Sequence, residues 1–216
     1  MQSRALFEAR TGRWQSAATN YANLIKARPS DHELHHALAP LLVQNGDLRG
    51  YHALREQIRL RFGGTTNDPA IADRMAKDLL ILPASGDDLT VAARLANLAV
   101  AIGRDNRGLP WYHVCKALAE YRQENFAEAV TWSQKALRRA GDVPSRDIEA
   151  YMVLSMAELH LQRPDEARAA WEKAMTTLKD NPPDYGTGSV SRHGWIDWLI
   201  AQALINEARS QLAPSE

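Results

Sequence analysis

Cysteine is nearly absent from this sequence, with Cys115 the only one among 216 residues. A single thiol excludes a disulfide framework or a cysteine-based zinc ribbon within one chain, and it suits a reducing cytoplasm. Net charge is absent too, because 26 Lys and Arg balance 26 Asp and Glu. Affinity for nucleic acid comes from clustered Lys and Arg, so this balance argues against a nucleic-acid partner.

Long hydrophobic runs are also missing. No stretch approaches the ~18 to 20 apolar residues that a membrane span needs, and the first residues lack the apolar segment of a signal peptide. We therefore expect a cytoplasmic protein with no membrane partner. The sequence does contain 45% hydrophobic and 24% charged residues, a composition typical of a globular chain that can bury one sizeable core.

A pattern of small residues recurs along the chain and predicts helical repeats. In one copy Gly12 marks a turn and Ala17 follows five residues later. Alanine takes this role again as Ala129 and Ala167, whereas a weaker copy has Tyr51 in its place. Side chains of this size are needed where two helices cross closely. The pattern is that of the second half of a tetratricopeptide (TPR) motif, whose period is 34 residues.

Periodicity and helix-end signals predict helices throughout and no strands. The expected ranges are 2–11, 14–27, 31–44, 47–61, 69–82, 88–102, 110–123, 126–139, 145–161, 164–178 and 194–212. The third pair of helices lacks the small-residue spacing. Ala129 and Ala167 are 38 residues apart rather than 34, so a longer connection is expected around residues 141–144.

The last predicted helix is solitary and carries an apolar stripe. Trp198, Ile205 and Leu212 lie seven residues apart, and Trp195 and Leu199 widen the stripe. A terminal repeat needs a cover for its apolar face, so we expect this helix to cap the last hairpin. The predicted fold is therefore all-α: an α-α superhelix, or TPR-like solenoid, of about five helical hairpins plus a C-terminal capping helix.

Several tracts carry a resemblance to a known family. They are Leu38-Ala39-Pro40-Leu41-Leu42, Gly46-Asp47, Gly50-Tyr51, Arg61-Phe62-Gly63, Asp68-Pro69, Ala72-Asp73-Arg74, Leu118-Ala119-Glu120-Tyr121-Arg122-Gln123 and Trp195-Ile196-Asp197-Trp198-Leu199-Ile200-Ala201. Together they resemble the TPR region found C-terminal to the kinase domain in large bacterial serine/threonine protein kinases. The resemblance implies a helical interaction region of a signalling protein. Glu124 departs from it, since such repeats usually have glycine at that turn.

The domain organisation follows from the repeat register. Aligning Gly12 with the turn glycine places the start of the first helix about three positions before Met1. We therefore expect residues 1–216 to be a single TPR-like domain and the C-terminal part of a longer protein. The sequence contains no Asp-Phe-Gly, because its three phenylalanines follow Leu, Arg and Asn, and the other kinase motifs are missing too. We predict that the chain is not an enzyme and that any kinase activity lies on a segment outside it.

One motif suggests a competing function. His32-Glu33-Leu34-His35-His36 matches H-E-x-x-H, in which two histidines on one helix face bind zinc while the glutamate activates water. Glu56 lies at a usable spacing for a third ligand, so a zinc-dependent hydrolase is the alternative. However, a catalytic zinc helix is buried beneath a sheet, and this sequence predicts no sheet. We favour a surface or groove-facing histidine cluster, predict no metal or cofactor, and interpret Cys115 as a buried small hydrophobe.

The favoured function is a noncatalytic scaffold that binds a protein or peptide, such as an amphipathic helix, on its concave face. The repeat register places these residues on that face: His36, Pro40, Val43, Trp111, Val114, Leu118, Tyr121, Arg122, Met152, Met156 and His160. They are mainly apolar. Packing within a tight superhelix uses the same residue types, so a purely structural role for these side chains stays open, as does a passive spacer function for the whole chain.

Overall fold

The computed structural model describes residues 2–64, 66–185 and 194–212, and within these ranges it is helical with no strand. The helices are α1 (Gln2–Arg10), α2 (Trp14–Ala27), α3 (His32–Gln44), α4 (Leu48–Phe62), α5 (Pro69–Leu80), α6 (Gly86–Ile102), α7 (Leu109–Arg122), α8 (Phe126–Ala136), α9 (Pro144–His160), α10 (Pro164–Asp180) and α11 (Gly194–Leu212). Each predicted helix is present, so the all-α fold class is confirmed.

The ends of the helices follow local chemistry. The carboxylate of Asp31 accepts a hydrogen bond from the Glu33 backbone N–H at 3.1 Å and caps α3. The prediction for the eighth helix was too long: the α-helix ends at Ala136 and continues as a 3₁₀ turn, Leu137–Arg139. This turn and the following residues form the longer connection that the 38-residue spacing predicted.

The helices pair into five hairpins, α1/α2 to α9/α10. Each second helix also packs on the first helix of the next hairpin, and α3, α5, α7 and α9 contact one another in series. Ala17, Ala129 and Ala167 are fully buried at the crossings, as the spacing predicted. Tyr51, at the matching place in α4, is buried as well, and its hydroxyl donates to the Asp78 carbonyl at 2.7 Å.

Four of the five hairpins share the same turn. Gly12, Gly46, Glu124 and Gln162 have φ of +75°, +68°, +63° and +61°, the left-handed region. In each turn the next backbone N–H donates to the carbonyl five residues back at 2.9 Å; in the third of these turns the donor is Asn125 and the acceptor Glu120. This bond and the one before it form the Schellman motif that satisfies carbonyls at a helix end. The repeat is therefore visible in the backbone, even where the sequence lacks glycine.

The C-terminal helix extends beyond the last hairpin. As predicted, α11 packs on α9, but it also contacts α3 near the other end of the chain. Buried residues lie on several sides of α11, which is typical of a helix enclosed by its neighbours rather than one lying on a surface. Within residues 2–64, 66–185 and 194–212, none of the helices has the length and apolar character that crossing a bilayer requires.

Candidate interaction surface on the inner face

The inner face is defined here as the side of α3, α5, α7 and α9 that meets α11. At the start of α11, Trp195 is buried and stacks on Tyr21 of α2, with ring centroids 6.0 Å apart. Close by, Tyr185 meets Trp14 of α2 edge-on, with centroids 4.7 Å apart. The first hairpin and the segment after the last hairpin therefore contact one another, and α11 bridges them.

Polar contacts hold the second half of α11. The guanidinium of Arg122, at the end of α7, donates to the carboxylate of Glu207, with Nη2 2.6 Å from Oε2. The same guanidinium donates to the carbonyls of Leu80 and Ile81 at 3.2 Å each. Gln211 bonds the Tyr121 hydroxyl through its amide at 2.9 Å. Because Arg122 and Glu207 are mostly shielded from water, these charge-assisted bonds can orient α11 as well as attach it.

A buried group of charges lies beneath α11. Lys77 of α5 and Glu149 of α9 approach to 3.3 Å, and both side chains are almost inaccessible to water. Burial raises the pKa of Glu149 to about 8, since the nearby Lys77 opposes this only in part and Asp197 of α11 adds to it. Burial lowers the pKa of Lys77, but Glu149, Asp73 and Asp197 outweigh it and raise that pKa overall. The ammonium therefore stays charged while the carboxyl group of Glu149 tends to hold its proton.

The histidines of the H-E-x-x-H match have separate partners. Nδ1 of His36 lies 2.8 Å from the carboxylate of buried Asp78, and Nε2 of His32 lies 3.0 Å from the guanidinium of Arg74. Burial and the charge of Arg74 lower the pKa of His32. A guanidinium beside the ring nitrogen repels a cation at the position a zinc ion would need.

The other parts of the proposed zinc site do not gather around these rings. Glu33 lies 3.6 Å from Arg74, and Glu56 is exposed on α4. The described residues contain no group of three His, Cys, Asp or Glu placed to hold a metal ion. Cys115 is fully buried, and burial raises the pKa of its thiol, which disfavours the thiolate that a nucleophile requires. Its interpretation as a small hydrophobe is confirmed.

The structure separates the eleven residues predicted for the concave face by accessibility. Six are buried: Pro40, Val114, Leu118, Tyr121, Met152 and Met156. His36, Val43, Trp111 and Arg122 are partly accessible, and His160 is exposed. Of the eleven, only His160 is therefore exposed, while the side chain of Arg122 is almost entirely covered by its contacts with α11.

Two of these positions show why the repeat register alone could not predict which side chains line the inner face. Val114 lies in a small separate cluster with Ala136 and Ala150, between α7, α8 and α9. Its side chain therefore faces neighbouring helices rather than the inner face. His160 stacks on Phe126, with centroids 4.3 Å apart and planes 5° from parallel. This stack holds the imidazole at the end of α9, against the start of α8.

An open cavity of about 420 Å³ lies between the ends of α9 and α11 and the start of α10. Its described lining combines apolar and cationic side chains and contains no carboxylate: Leu159, Pro164, Arg168, Trp171, Arg209 and Leu212. Nothing in the sequence pattern singled out the two arginines. Only the return of α11 to the last hairpin brings these residues together, so no local pattern indicated the cavity.

These features define the class of the protein. Five helical hairpins joined by a shared turn, with an inner C-terminal helix, form an all-α superhelix of TPR-like repeats. No known family model matches the sequence, and no curated protein matches it.

The chain is similar in structure to two solved proteins. One is the MamA protein, whose crystal structure aligns with a TM-score of 0.47 and 17% identity over 80% of this chain and 87% of that one. The other is BtubC (BKLC) from P. vanneervenii, with a TM-score of 0.45 and 17% identity over 95% of this chain and 90% of that one.

Proposed function

We propose that the protein is a noncatalytic protein-interaction scaffold whose partner presents an amphipathic helix or an extended peptide. The observation that carries this proposal is α11 itself, a largely apolar helix that stacks on Tyr21 of α2 and is joined to the inner face by charge-assisted hydrogen bonds from Arg122 of α7. A surface that binds one helix in this way has the features that grooves use to bind helices of partners. The polar contacts come from Tyr121 and Arg122 of α7, and α3 and α9 supply the packing surface.

The accessible part of this surface lies beside the end of α11. The exposed His160, the cavity next to Trp171 and the two arginines of its lining offer aromatic and cationic contacts. Arginine and aromatic residues are enriched where protein partners bind tightly. We assign the partner to proteins rather than nucleic acid or membranes, and its contacting segment carries acidic side chains that complement Arg168 and Arg209.

The biological setting of the scaffold is part of the same proposal. We infer that residues 1–216 act as one domain in the cytoplasm and form the C-terminal part of a bacterial signalling protein with a kinase domain. The sequence resemblance to kinase-associated TPR regions supports this setting. Sequencing the full reading frame of the source gene tests it: an upstream kinase domain is expected, and a frame without one contradicts the kinase assignment.

The binding surface is tested by capturing proteins from the source cell with the wild-type chain and with Trp171→Ala. We expect the variant to lose the captured protein because truncation removes the aromatic wall of the cavity. Leu60→Ala on α4 is the matched control, because Leu60 is 71% exposed and lies far along the chain from the cavity. Melting curves of both variants show whether either change acts through stability.

Three outcomes contradict the proposal. If wild type and Trp171→Ala capture the same protein equally well, the cavity is not part of the binding surface. Loss of capture together with a lowered melting temperature in Trp171→Ala indicates packing rather than binding. A wild-type chain that captures nothing above an unrelated control protein supports a passive spacer.

A further inference from the structure

A second cavity, of about 380 Å³, gathers positive charge in a chain whose net charge is zero. It lies between the α6–α7 loop, the first turns of α7, the end of α8 and the 3₁₀ turn that follows. Its lining contains these titratable side chains: Arg104, Asp105, Arg107, His113, Lys135 and Arg138. Four permanent cations therefore face one carboxylate.

These cations lack partners that would neutralise them. In the described part of the chain, Arg104, Arg107 and Arg138 make neither an ion pair nor a hydrogen bond to a protein acceptor, and all three are exposed. The ammonium of Lys135 lies over the ring of Trp132, 3.6 Å from its centroid. That contact fixes the position of the ammonium without cancelling its charge. The lining therefore carries an excess of positive charge, which a bound anion would offset.

The pKa of His113 depends on the charges that line this cavity. Its ring is half-buried and lies against Trp132, with centroids 5.4 Å apart. Burial lowers the pKa of His113, and the charges of Lys135 and Arg138 lower it further. Arg104, Arg107 and the carboxylate of Asp105 face the same space from the α6–α7 loop. An anion bound there would counteract the cationic field and raise the pKa of the imidazole.

We propose that this cavity binds a phosphomonoester group carried by a protein, such as a phosphorylated serine side chain. Arginine guanidinium groups suit phosphate because they donate paired hydrogen bonds to its oxygens. The apolar part of the lining, Leu109, Pro110 and Ala136, can contact the carbon atoms next to the phosphate. This inference rests on the proposed function only in assigning the phosphate to a protein partner.

The concave shape favours a phosphorylated side chain over larger polyanions. Nucleic acids bind along extended basic surfaces with many phosphate contacts, whereas these cations surround one cavity and the whole chain is neutral. A lipid surface likewise requires an exposed, spread cluster of basic residues. A single phosphate on a short stem matches the grouping of charge, and the cavity of about 380 Å³ leaves room for the residues that flank it.

The test measures binding of N-acetyl-phosphoserine amide to the whole chain by calorimetry, with N-acetyl-serine amide, inorganic sulfate, AMP and phosphatidylserine vesicles as comparisons. We expect binding of the phosphoserine probe only, together with a rise in the His113 pKa followed by NMR. Arg104→Gln and Arg138→Gln should each weaken binding by about tenfold or more, the effect of losing one hydrogen bond to a charged group. Arg49→Gln on α4 is the control, because Arg49 is exposed outside the cavity.

Other results overturn the proposal. Equal binding of sulfate and phosphoserine, or weakening by Arg49→Gln as large as by Arg104→Gln, indicates an adventitious ion only. Tighter binding of AMP than of the phosphoserine probe would identify the ligand as a nucleotide, and tighter binding of the vesicles would identify it as a lipid. The two proposals can fail separately. If Trp171→Ala does not change partner capture, the surface near Trp171 is wrongly assigned. If the chain still binds the phosphoserine probe in that case, the phosphate cavity is supported on its own.

Discussion

Glu124 adopts the left-handed backbone conformation at the turn between α7 and α8. In two equivalent turns glycine takes this position, as Gly12 and Gly46, with a similar φ. A side chain at such a position costs about 1–2 kcal/mol, because Cβ approaches the neighbouring carbonyl oxygen. The backbone of this turn is therefore maintained by its hydrogen bonds and by the packing of the two helices, despite the local conformational cost.

Replacing Glu124 by glycine should stabilise the protein. We expect the free energy of unfolding of Glu124→Gly to rise by about 0.5–1 kcal/mol, since the relief of strain exceeds the extra freedom of the unfolded chain. Denaturant unfolding measures the change. Gln123→Gly is the control: Gln123 has a negative φ of −88°, so glycine there should destabilise. A Glu124→Gly variant no more stable than wild type would contradict the strain argument.

Ala129 gives a second test at the scale of one residue, because it is fully buried where α7 and α8 cross. Ala129→Leu should lower the free energy of unfolding by about 1–3 kcal/mol through overpacking. Ala127→Leu, an exposed site on the same helix, should change it by less than about 0.5 kcal/mol. Equal effects in thermal unfolding would show that the crossing is not tightly packed.

At the scale of helices, the buried charges between α5, α9 and α11 make stability depend on pH. The pKa of Glu149 is raised from 4.5 to about 8 in the folded chain. Between these two values the folded state holds a proton that the unfolded state releases. Stability contributed by this carboxyl group is therefore complete below pH 4.5 and is lost as the pH rises toward 8.

Comparison with Glu149→Gln isolates this effect, because the amide does not titrate. We expect the free energy of unfolding of wild type, relative to the variant, to fall steadily between the pH limits of 4.5 and about 8. Urea unfolding at a series of pH values measures it. Glu56→Gln, at an exposed carboxyl on α4, should show no such trend. A flat difference would place Glu149 in a solvated environment, and a difference that rises with pH would show that Lys77 stabilises the ionised carboxylate instead.

Local signals were sufficient to predict the helices but not this charge group. Asp31 before α3 and the prolines at the start of α7 and α10 act within a few residues of the ends that they mark. In contrast, Lys77 and Glu149 are 72 residues apart and meet only because α5 and α9 both face α11. No periodicity links such positions, so this buried contact between Lys77 and Glu149 could not be derived from the sequence.

The same limit applied to the candidate site. The register placed Leu118 and Met152 on the concave face and left a packing role open as the alternative; the structure buries both side chains. The apolar stripe of α11 predicted a cover for the last hairpin, yet nothing in that stripe specified a second contact with α3. The cavity near Trp171 depends on the meeting of distant segments. The cavity near His113 lies between the α6–α7 loop and the end of α8, whose relative placement no local pattern described.

At the scale of the whole molecule, α11 makes the superhelix a closed unit. Its start meets the first hairpin through Trp195 and Tyr21, and its end meets α7 through Glu207 and Arg122. One continuous apolar core extends from Ala5 to Ala208. The inner face is consequently part of the structural core, and its packing against α11 is the basis for our proposal that it binds helices.

A double-mutant cycle on Arg122→Ala and Glu207→Ala tests the placement of α11 most directly. The two residues are 85 apart in sequence and are joined only if α11 lies against the end of α7. We predict a coupling free energy of about 1–3 kcal/mol in equilibrium unfolding, the range for charged groups in direct contact. Additive effects of the two substitutions, with coupling near zero, would contradict an inner C-terminal helix.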